Sequence, residues 1–195
     1  MLKLILFFCG LCFGPALLHI SQPSATDQLL SDERQMPGPR AVVSLATGIT
    51  FYQLPIWELA QWPELIFLNS LLIMALMDYQ TQSFEARWLI PAGLTASYQF
   101  LLAPKWTELE WLLWLPIMLF LLGARWLNQL GGGDIWIYGL LALFYRPLVA
   151  NQLLLLAACL LICTTIWHPH DAKRHYPLLP FLYLAVLVHH LNLIH

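Results

Sequence analysis

Charged side chains are scarce in this chain. Lys, Arg, Asp and Glu make up 10% of its 195 residues, against roughly 25% in an ordinary soluble domain. Nine basic residues against eleven acidic ones give a formal net charge of −2, so the chain lacks the basic excess that favours nucleic-acid binding. We therefore expect no nucleic acid among its partners, and the low charge also disfavours a soluble globular protein.

Hydrophilic stretches are also few, and apolar runs fill most of the chain. Hydrophobic residues make up 59% of the sequence, with a mean hydropathy of +0.67. A helix needs about 20 mostly apolar residues to cross the roughly 30 Å hydrocarbon layer of a bilayer. Eight runs approach this requirement, at residues 2–20, 41–59, 64–77, 88–103, 109–127, 135–149, 153–167 and 178–194.

These runs predict an all-α fold, a polytopic transmembrane helix bundle of about eight spans in a lipid bilayer. Residues 1–195 then form a single integral membrane domain, and 21–40 form a short cytosolic loop. Seven spans are the alternative, because Gln53, Pro55 and Glu58 interrupt the second run. The first run also fits a signal peptide, since Lys3 precedes its apolar stretch.

The distribution of basic residues predicts the orientation, because Lys and Arg accumulate in cytosolic loops. With the N-terminus outside and eight crossings, the inner side has six basic residues: Arg34, Arg40, Arg87, Arg125, Lys173 and Arg174. The outer side has three: Lys3, Lys105 and Arg146. We therefore expect a multi-pass protein of the cell (plasma) membrane, with the ends of the third and fifth spans facing the cytosol.

Two acidic residues lie at the edges of predicted spans on this cytosolic side. Asp78 follows the apolar run 65–77, and Asp134 follows three glycines, Gly131, Gly132 and Gly133. Taken singly, Asp78 is explained as a polar helix end and Asp134 as an N-cap that binds the first amides of the next helix. The glycines predict a tight turn that another chain can approach closely, which would suit an extended substrate.

Taken together, Asp78 and Asp134 are candidates for acid–base hydrolysis. Two carboxyl groups at close range in a low-dielectric site cannot both ionise easily, so such a pair shares a proton near neutral pH. One carboxylate can activate a water molecule while the other carboxyl protonates the scissile peptide group. This chemistry requires no metal and no covalent intermediate.

Several short motifs, in the same order along the chain, resemble those of the type IV prepilin peptidases. Gly131 to Asp134 match the G-x-G-D motif of that family, and Asp78 resembles its first catalytic Asp. Three further segments are similar to short motifs of its first, second and last helices: 10–17, 43–48 and 176–182. The chain most resembles the compact competence-type members.

The resemblance implies an intramembrane aspartic endopeptidase that removes the leader of type IV prepilin or pseudopilin precursors. The products of such enzymes assemble into pili or into the pseudopilus used for DNA uptake. Members of the family usually carry two C-x-x-C pairs in the first cytosolic loop, whereas residues 21–40 contain no Cys. We therefore expect a metal-free enzyme that needs no cofactor for proteolysis and shows little or no methylation with S-adenosylmethionine.

Two other functions remain alternatives on the sequence alone. The chain could be a polytopic carrier or assembly scaffold in which the two acids bind a cation or a proton, or an inactive relative of the peptidases. Carriers place ionisable groups near the bilayer midplane, whereas Asp78 and Asp134 lie at span ends, which favours the peptidase.

For the remaining polar groups we expect no catalytic or metal-binding role. Cys9 and Cys12, like Cys159 and Cys163, lie in apolar runs where cysteine is an ordinary packing residue. The cluster of His168, His170, Asp171 and His175 is typical of a solvated turn. Outer-side acids, Glu64 and Glu110 among them, are expected to face solvent.

Overall fold

The computed structural model describes residues 47–48, 62–81, 85–102, 106–127, 132–167 and 177–190. Helices account for nearly all of them, and no strand occurs within these ranges, which confirms the predicted all-α class. The helices are α1 (Trp62–Thr81), α2 (Leu89–Leu102), α3 (Glu108–Trp126), α4 (Gly132–Tyr145), α5 (Pro147–Trp167) and α6 (Leu179–His190). A short 3₁₀ helix, Ala86–Trp88, leads into α2.

Polar contacts at the helix ends fix the directions of the helices. Asp78, near the end of α1, accepts a hydrogen bond from the amide of Leu179 at the start of α6. Glu64, near the start of α1, lies 3.1 Å from His190 at the end of α6. These two helices are therefore antiparallel, and the bundle has an Asp78 end and a His190 end.

The other helices follow the same alternation. Tyr145, the last residue of α4, lies 2.8 Å from His190, so α4 runs parallel to α6 and begins at the Asp78 end. Arg146, between α4 and α5, donates a hydrogen bond to Glu110 in the first turn of α3. As a result, α3 and α5 both begin at the His190 end and finish at the Asp78 end.

The core is apolar and lies mainly among α1, α4 and α6. α1 packs against α2 and α6, and α4 packs against α2 and α5, while α3 lies at the edge against α4 and α5. Phe67 of α1 stacks on Phe144 of α4 with ring centroids 4.3 Å apart. Leu141 and Val186 are fully buried in the same core, so dispersion and burial of apolar area hold the helices together.

Two of the described helices have the length and composition needed to cross a membrane. They are α3, Glu108–Trp126, and the Pro147–Ile166 part of α5. In the most apolar 18-residue stretch of each, only 11% and 17% of the residues, respectively, are buried inside the protein. Large apolar side chains such as Phe120 and Ile162 face outward instead. Contiguous exposed apolar surface is unfavourable in water, so these two helices support membrane association.

The six described helices correspond to the third to eighth predicted spans, but the structure does not show an eight-span bundle. Only two of the described helices meet the length and hydropathy that a span requires. The predicted spans 2–20 and 41–59 and the predicted loop 21–40 lie outside the described residues, apart from Thr47 and Gly48, which are helical and buried.

Several predicted boundaries were wrong by a few residues. α1 extends from Trp62 to Thr81, beyond the predicted 64–77, so Asp78 lies inside the helix. The predicted spans 135–149 and 153–167 are divided differently, because Arg146 has a left-handed φ of 75° and ends α4. Pro147 then begins α5, at a position where a missing N–H costs no hydrogen bond.

Glu110 was wrongly expected to face solvent. Its carboxylate accepts a 2.7 Å hydrogen bond from the amide of Thr107 and another of 2.7 Å from the guanidinium of Arg146. The hydroxyl of Thr107 in turn accepts from the Glu110 amide, which completes a capping box at the start of α3. A residue predicted to be solvated is therefore nearly buried in a network that joins α3 to the α4–α5 junction.

Candidate active site

Asp78 lies in the last turn of α1, where it faces the start of α6. Its Oδ2 accepts a 3.3 Å hydrogen bond from the amide of Leu179, the first residue of α6. The first amides of a helix have no partner within the helix, and the positive end of the helix dipole attracts an anion. The carboxylate of Asp78 therefore satisfies an otherwise unpaired amide and is held in one place by it.

The environment of Asp78 favours retention of a proton. Asp78 lies in the last turn of α1, after the apolar run 65–77, and burial raises its pKa to about 6. The hydrogen bond from Leu179 opposes this shift, whereas the negative charge of Asp134 raises the pKa further. Asp78 therefore keeps much of its proton in weakly acidic solution, and its titration is coupled to Asp134.

Asp134 lies in the first turn of α4, at the same end of the bundle as Asp78. The helix begins at Gly132, so Asp134 is its third residue, and the expectation that Asp134 is the N-cap was wrong. Gly132 and Gly133 are helical and neither has a positive φ. The predicted open turn is thus replaced over these two residues by the start of a helix, and Gly131 lies outside the described residues.

The side chain of Arg125 approaches Gly132 closely. An ideal Cβ on Gly132 would lie 2.7 Å from Cζ of Arg125, which is far inside van der Waals contact. The guanidinium from the last turn of α3 therefore rests directly against the first residue of α4. In the sequence, Arg125 is distinguished only by its charge, which contributes to the predicted orientation of the chain.

A small cavity lies beside Asp134. Its volume is about 10 Å³, which is close to the space that one water molecule needs. Apart from Asp134, its walls are mostly apolar and come from four helices: Leu121, Tyr138, Leu141, Leu154, Leu178 and Leu182. The cavity thus reaches the start of α6, where Asp78 is also bound.

Tyr138 lies one helical turn below Asp134 and forms part of the same cavity wall. Its hydroxyl donates a 2.6 Å hydrogen bond to Oδ1 of Asn151 on α5. This bond joins α4 to α5 beside the cavity. Sequence reasoning missed both residues, because a Tyr and an Asn in apolar helices carry no pattern that pairs them.

A second polar group, which the sequence did not reveal, lies at the His190 end. The Nε2 atom of His190 lies 2.8 Å from the hydroxyl of Tyr145 and 3.1 Å from the carboxylate of Glu64. These three side chains come from α6, α4 and α1 and join those helices at the end of the bundle opposite Asp78 and Asp134. Glu64, expected to be solvated, is thus partly buried in an interhelical contact.

The described helices bring together two carboxyl groups at one end of an all-α, largely apolar bundle, next to a water-sized cavity. Within the described ranges, no group of three or more His, Cys, Asp or Glu residues could hold a metal ion. Chemically, the arrangement can bind and exchange protons, and it can activate a water molecule by acid–base catalysis. These features define a membrane-associated helical protein with an acid pair.

Comparison with known proteins adds no relative to this class. The chain matches no protein-family model, no curated protein and no solved structure.

Proposed function

We propose that this protein is an intramembrane aspartic endopeptidase that removes the leader of a type IV prepilin or pseudopilin precursor. The observation that supports this most directly is the coupled pair of Asp78 and Asp134 at one end of the bundle. The charge of Asp134 raises the pKa of Asp78, and the cavity beside Asp134 has room for one water molecule.

The proposed reaction is a direct hydrolysis. One ionised Asp takes a proton from water, and the oxygen adds to the carbonyl carbon of the scissile peptide bond. The other Asp gives its proton to the leaving nitrogen as the carbon–nitrogen bond breaks. The raised pKa of Asp78 supports such sharing, because one carboxyl of the pair must be protonated while its neighbour is ionised.

In the proposed topology, the chain is a multi-pass protein of the plasma membrane, with its N-terminus outside and the Asp78 end facing the cytosol. The outward apolar faces of α3 and α5 support a lipid environment. Arg87 and Arg125 lie at the Asp78 end and Arg146 at the opposite end, and a cytosolic excess of basic residues favours this orientation. The spans would number about eight, including the two predicted before residue 62.

The proposed substrate has a basic leader followed by an apolar helix, so the enzyme must reach a peptide bond at the membrane edge. Both acids lie within one helical turn of a helix end, which suits a scissile bond at that depth. Proteolysis would require no metal or other cofactor.

The decisive experiment is cleavage of a co-expressed prepilin-type precursor, followed by gel shift. Asp78→Asn and Asp134→Asn should each reduce cleavage by at least about a hundredfold, because Asn keeps the size of Asp but cannot exchange a proton. Both variants should accumulate in the membrane at normal abundance.

Glu85→Gln is the matched control. Glu85 is an acid at the same end of the bundle, but it pairs with Arg87 instead of facing the cavity. Its substitution should leave cleavage unchanged. Near-normal cleavage by either Asp variant would overturn the proposal, and failure of the unmodified protein to cleave would favour the carrier or the inactive relative.

A further inference from the structure

The cavity beside Asp134 is too small for the proposed substrate. Its volume of about 10 Å³ accommodates one water molecule, whereas an extended chain occupies about 5 Å by about 10 Å in cross-section. A peptide bond can therefore reach Asp134 only if part of the cavity wall moves. The wall is built by α3, α4, α5 and α6, so one of these four helices must shift.

Three of the four helices are held firmly in the core. α4 is joined to α5 by the hydrogen bond between Tyr138 and Asn151. α6 is bound near both ends, by Asp78 at its start and through the contacts of His190 at its end. Movement of α4, α5 or α6 would break these contacts as well as the packing of the core.

α3 is held less tightly, and unevenly along its length. It lies at the edge of the bundle against α4 and α5, and only two of its residues, Glu110 and Leu121, are buried. Glu110 anchors the start of α3 to Arg146 through a 2.7 Å ion pair. Leu121, in the half of α3 nearer to Asp78, is the side chain that α3 contributes to the cavity wall. This helix therefore has a polar anchor toward one end and covers the cavity with an apolar side chain toward the other.

Pro116 divides these two parts of α3. It lies inside the helix, where proline has no N–H to donate to the carbonyl of Leu112 and its ring crowds that carbonyl. Such a position is where a helix bends most easily. Beyond it, an added Cβ on Gly123 would meet no neighbouring atom within 4 Å, so the backbone there is not closely packed against another helix.

The surroundings of α3 permit its second half to move outward. Its outward face is apolar, and lipid chains are as apolar as leucine, so exposure of Leu121 to lipid loses packing contacts but carries no hydrophobic penalty. Four residues, 128–131, separate Leu127 from Gly132 at the start of α4. A connection of this length spans up to about 17 Å, against roughly 8–10 Å between the axes of packed helices.

We propose that the part of α3 from Pro116 to Trp126 is a lateral gate, which bends away from α4 and α5 while the start of α3 stays anchored to Arg146. This role rests on the proposed function and adds to it the route that the substrate takes. Outward movement withdraws Leu121 from the cavity and admits the extended segment around the scissile bond from the bilayer, between α3 and α4, to Asp134. Closure after release of the products returns the cavity to the size of one water molecule.

A reversible cross-link tests the gate with purified protein and a prepilin-type precursor in lipid vesicles. Met118 lies just beyond Pro116, and its terminal methyl group is 3.6 Å from an added Cβ on Gly139 of α4. Met118→Cys with Gly139→Cys, in a background without native cysteines, is joined by a short bifunctional methanethiosulfonate. Cleavage should fall by about tenfold or more and recover on reduction, whereas either single-cysteine variant treated with the same reagent should be unaffected.

A stiffer α3 provides a second test. Pro116→Ala restores the hydrogen bond to the carbonyl of Leu112, so cleavage should fall by about threefold or more, although the protein should unfold at the same or a higher temperature. Pro91→Ala is the matched control, because Pro91 lies in the first turn of α2, where an amide has no partner within the helix. It should leave cleavage unchanged.

Spin-label distances separate failure of the gate from failure of the proposed function, because they require no cleavage. Labels on Trp126→Cys of α3 and Trp136→Cys of α4, both exposed, should move apart by about 5 Å or more when a precursor is added to the Asp78→Asn protein. Labels on Leu109→Cys and Trp136→Cys should keep their distance, because Leu109 lies beside the anchor.

The two kinds of result divide the possible outcomes. Separation of the Trp126 and Trp136 labels without any cleavage by the unmodified protein would overturn the peptidase and retain the gate. An unchanged distance between these labels, or near-normal cleavage by the cross-linked protein, would overturn the gate.

Discussion

At the scale of single residues, Asp78 serves two roles that favour different protonation states. Its hydrogen bond from the Leu179 amide is strongest when Asp78 is ionised. Burial and the charge of Asp134 favour the neutral form and raise the pKa to about 6. Because burial and the charge of Asp134 have the larger effect, we expect Asp78 to lower the stability of the folded protein at neutral pH.

This balance predicts a pH-dependent effect of Asp78→Asn on stability. The folded pKa of about 6 exceeds the ordinary value of 3.8, so the folded protein binds more protons than the unfolded chain between these values. Stability contributed by the protonated form is therefore lost as the pH rises from about 4 to about 6. Asn cannot ionise, so the variant should unfold a few degrees higher than the original protein at about pH 8, with the difference vanishing below about pH 4.

Thermal unfolding in detergent, followed by tryptophan fluorescence, would measure this difference. Glu85→Gln, which removes the acid that binds Arg87 at the same end, is the control and should not reproduce the higher unfolding temperature at about pH 8. A lower unfolding temperature for Asp78→Asn at about pH 8 would mean that the Leu179 hydrogen bond outweighs burial, contrary to the raised pKa of Asp78.

At the scale of helices, the ends carry most of the polar structure. The capping box of Thr107 and Glu110 begins α3, and Arg146 connects that box to the α4–α5 junction. Arg146 itself adopts a left-handed conformation, which a side chain other than glycine adopts only at a cost. The ion pair with Glu110 helps to compensate for that cost, so the sharp reversal between α4 and α5 depends on the start of α3.

We expect Thr107→Ala to destabilise the protein by about 1 kcal/mol, because it removes the cap of α3 and frees Glu110 from one partner. Thr164→Ala is the matched control, because the exposed hydroxyl of Thr164 donates a hydrogen bond to the carbonyl of Leu161 in its own helix. Detergent or thermal unfolding curves would compare the two. Equal effects of the two substitutions would show that the capping box contributes nothing specific.

At the scale of the whole molecule, the bundle separates its polar groups into two ends. Asp78, Asp134 and Arg125 lie at one end, while Glu64, Glu110 and His190 lie at the other. Large apolar side chains on α3 and α5 face outward between them. This distribution suits a bilayer, because charged groups are excluded from the hydrocarbon layer and remain near its two surfaces.

The proposed orientation predicts which end an impermeant thiol reagent reaches from outside the cell. In a background lacking the native cysteines, Glu108→Cys should react, because Glu108 lies at the His190 end and is exposed. Glu85→Cys and Leu127→Cys, at the Asp78 end, should react only after the membrane is permeabilised. The reverse pattern would place the acids outside and exclude a cytosolic site for leader removal.

We also predict that the whole protein needs no metal, because residues 21–40 contain no cysteine ligands for a structural metal. We expect cleavage to survive strong chelators and the new N-terminus to carry little or no methyl group. Mass spectrometry of the product, after reaction with purified protein and S-adenosylmethionine, would measure the methylation. A stoichiometric gain of one methyl group, or loss of cleavage on chelation, would contradict this prediction.

The sequence by itself determined the class of the molecule and the position of most of its helices. Apolar runs at 88–103 and 109–127 lie within a few residues of α2 and α3, because long apolar segments must bury their backbone polar groups in helices. It also singled out Asp78 and Asp134, since an acid beside an apolar run is costly unless it has a purpose. Their catalytic role stays a prediction.

Only the tertiary structure decided what surrounds those acids. The hydrogen bond between Asp78 and Leu179 joins residues 101 positions apart, and no local pattern encodes such a pairing. The contact of Arg125 with Gly132 and the pairing of Glu110 with Arg146 likewise depend on how helices pack. Hydropathy reports the preference of each segment for lipid or water. The neighbours of a polar side chain depend instead on how separate helices pack, and those neighbours determine whether its charge is tolerated.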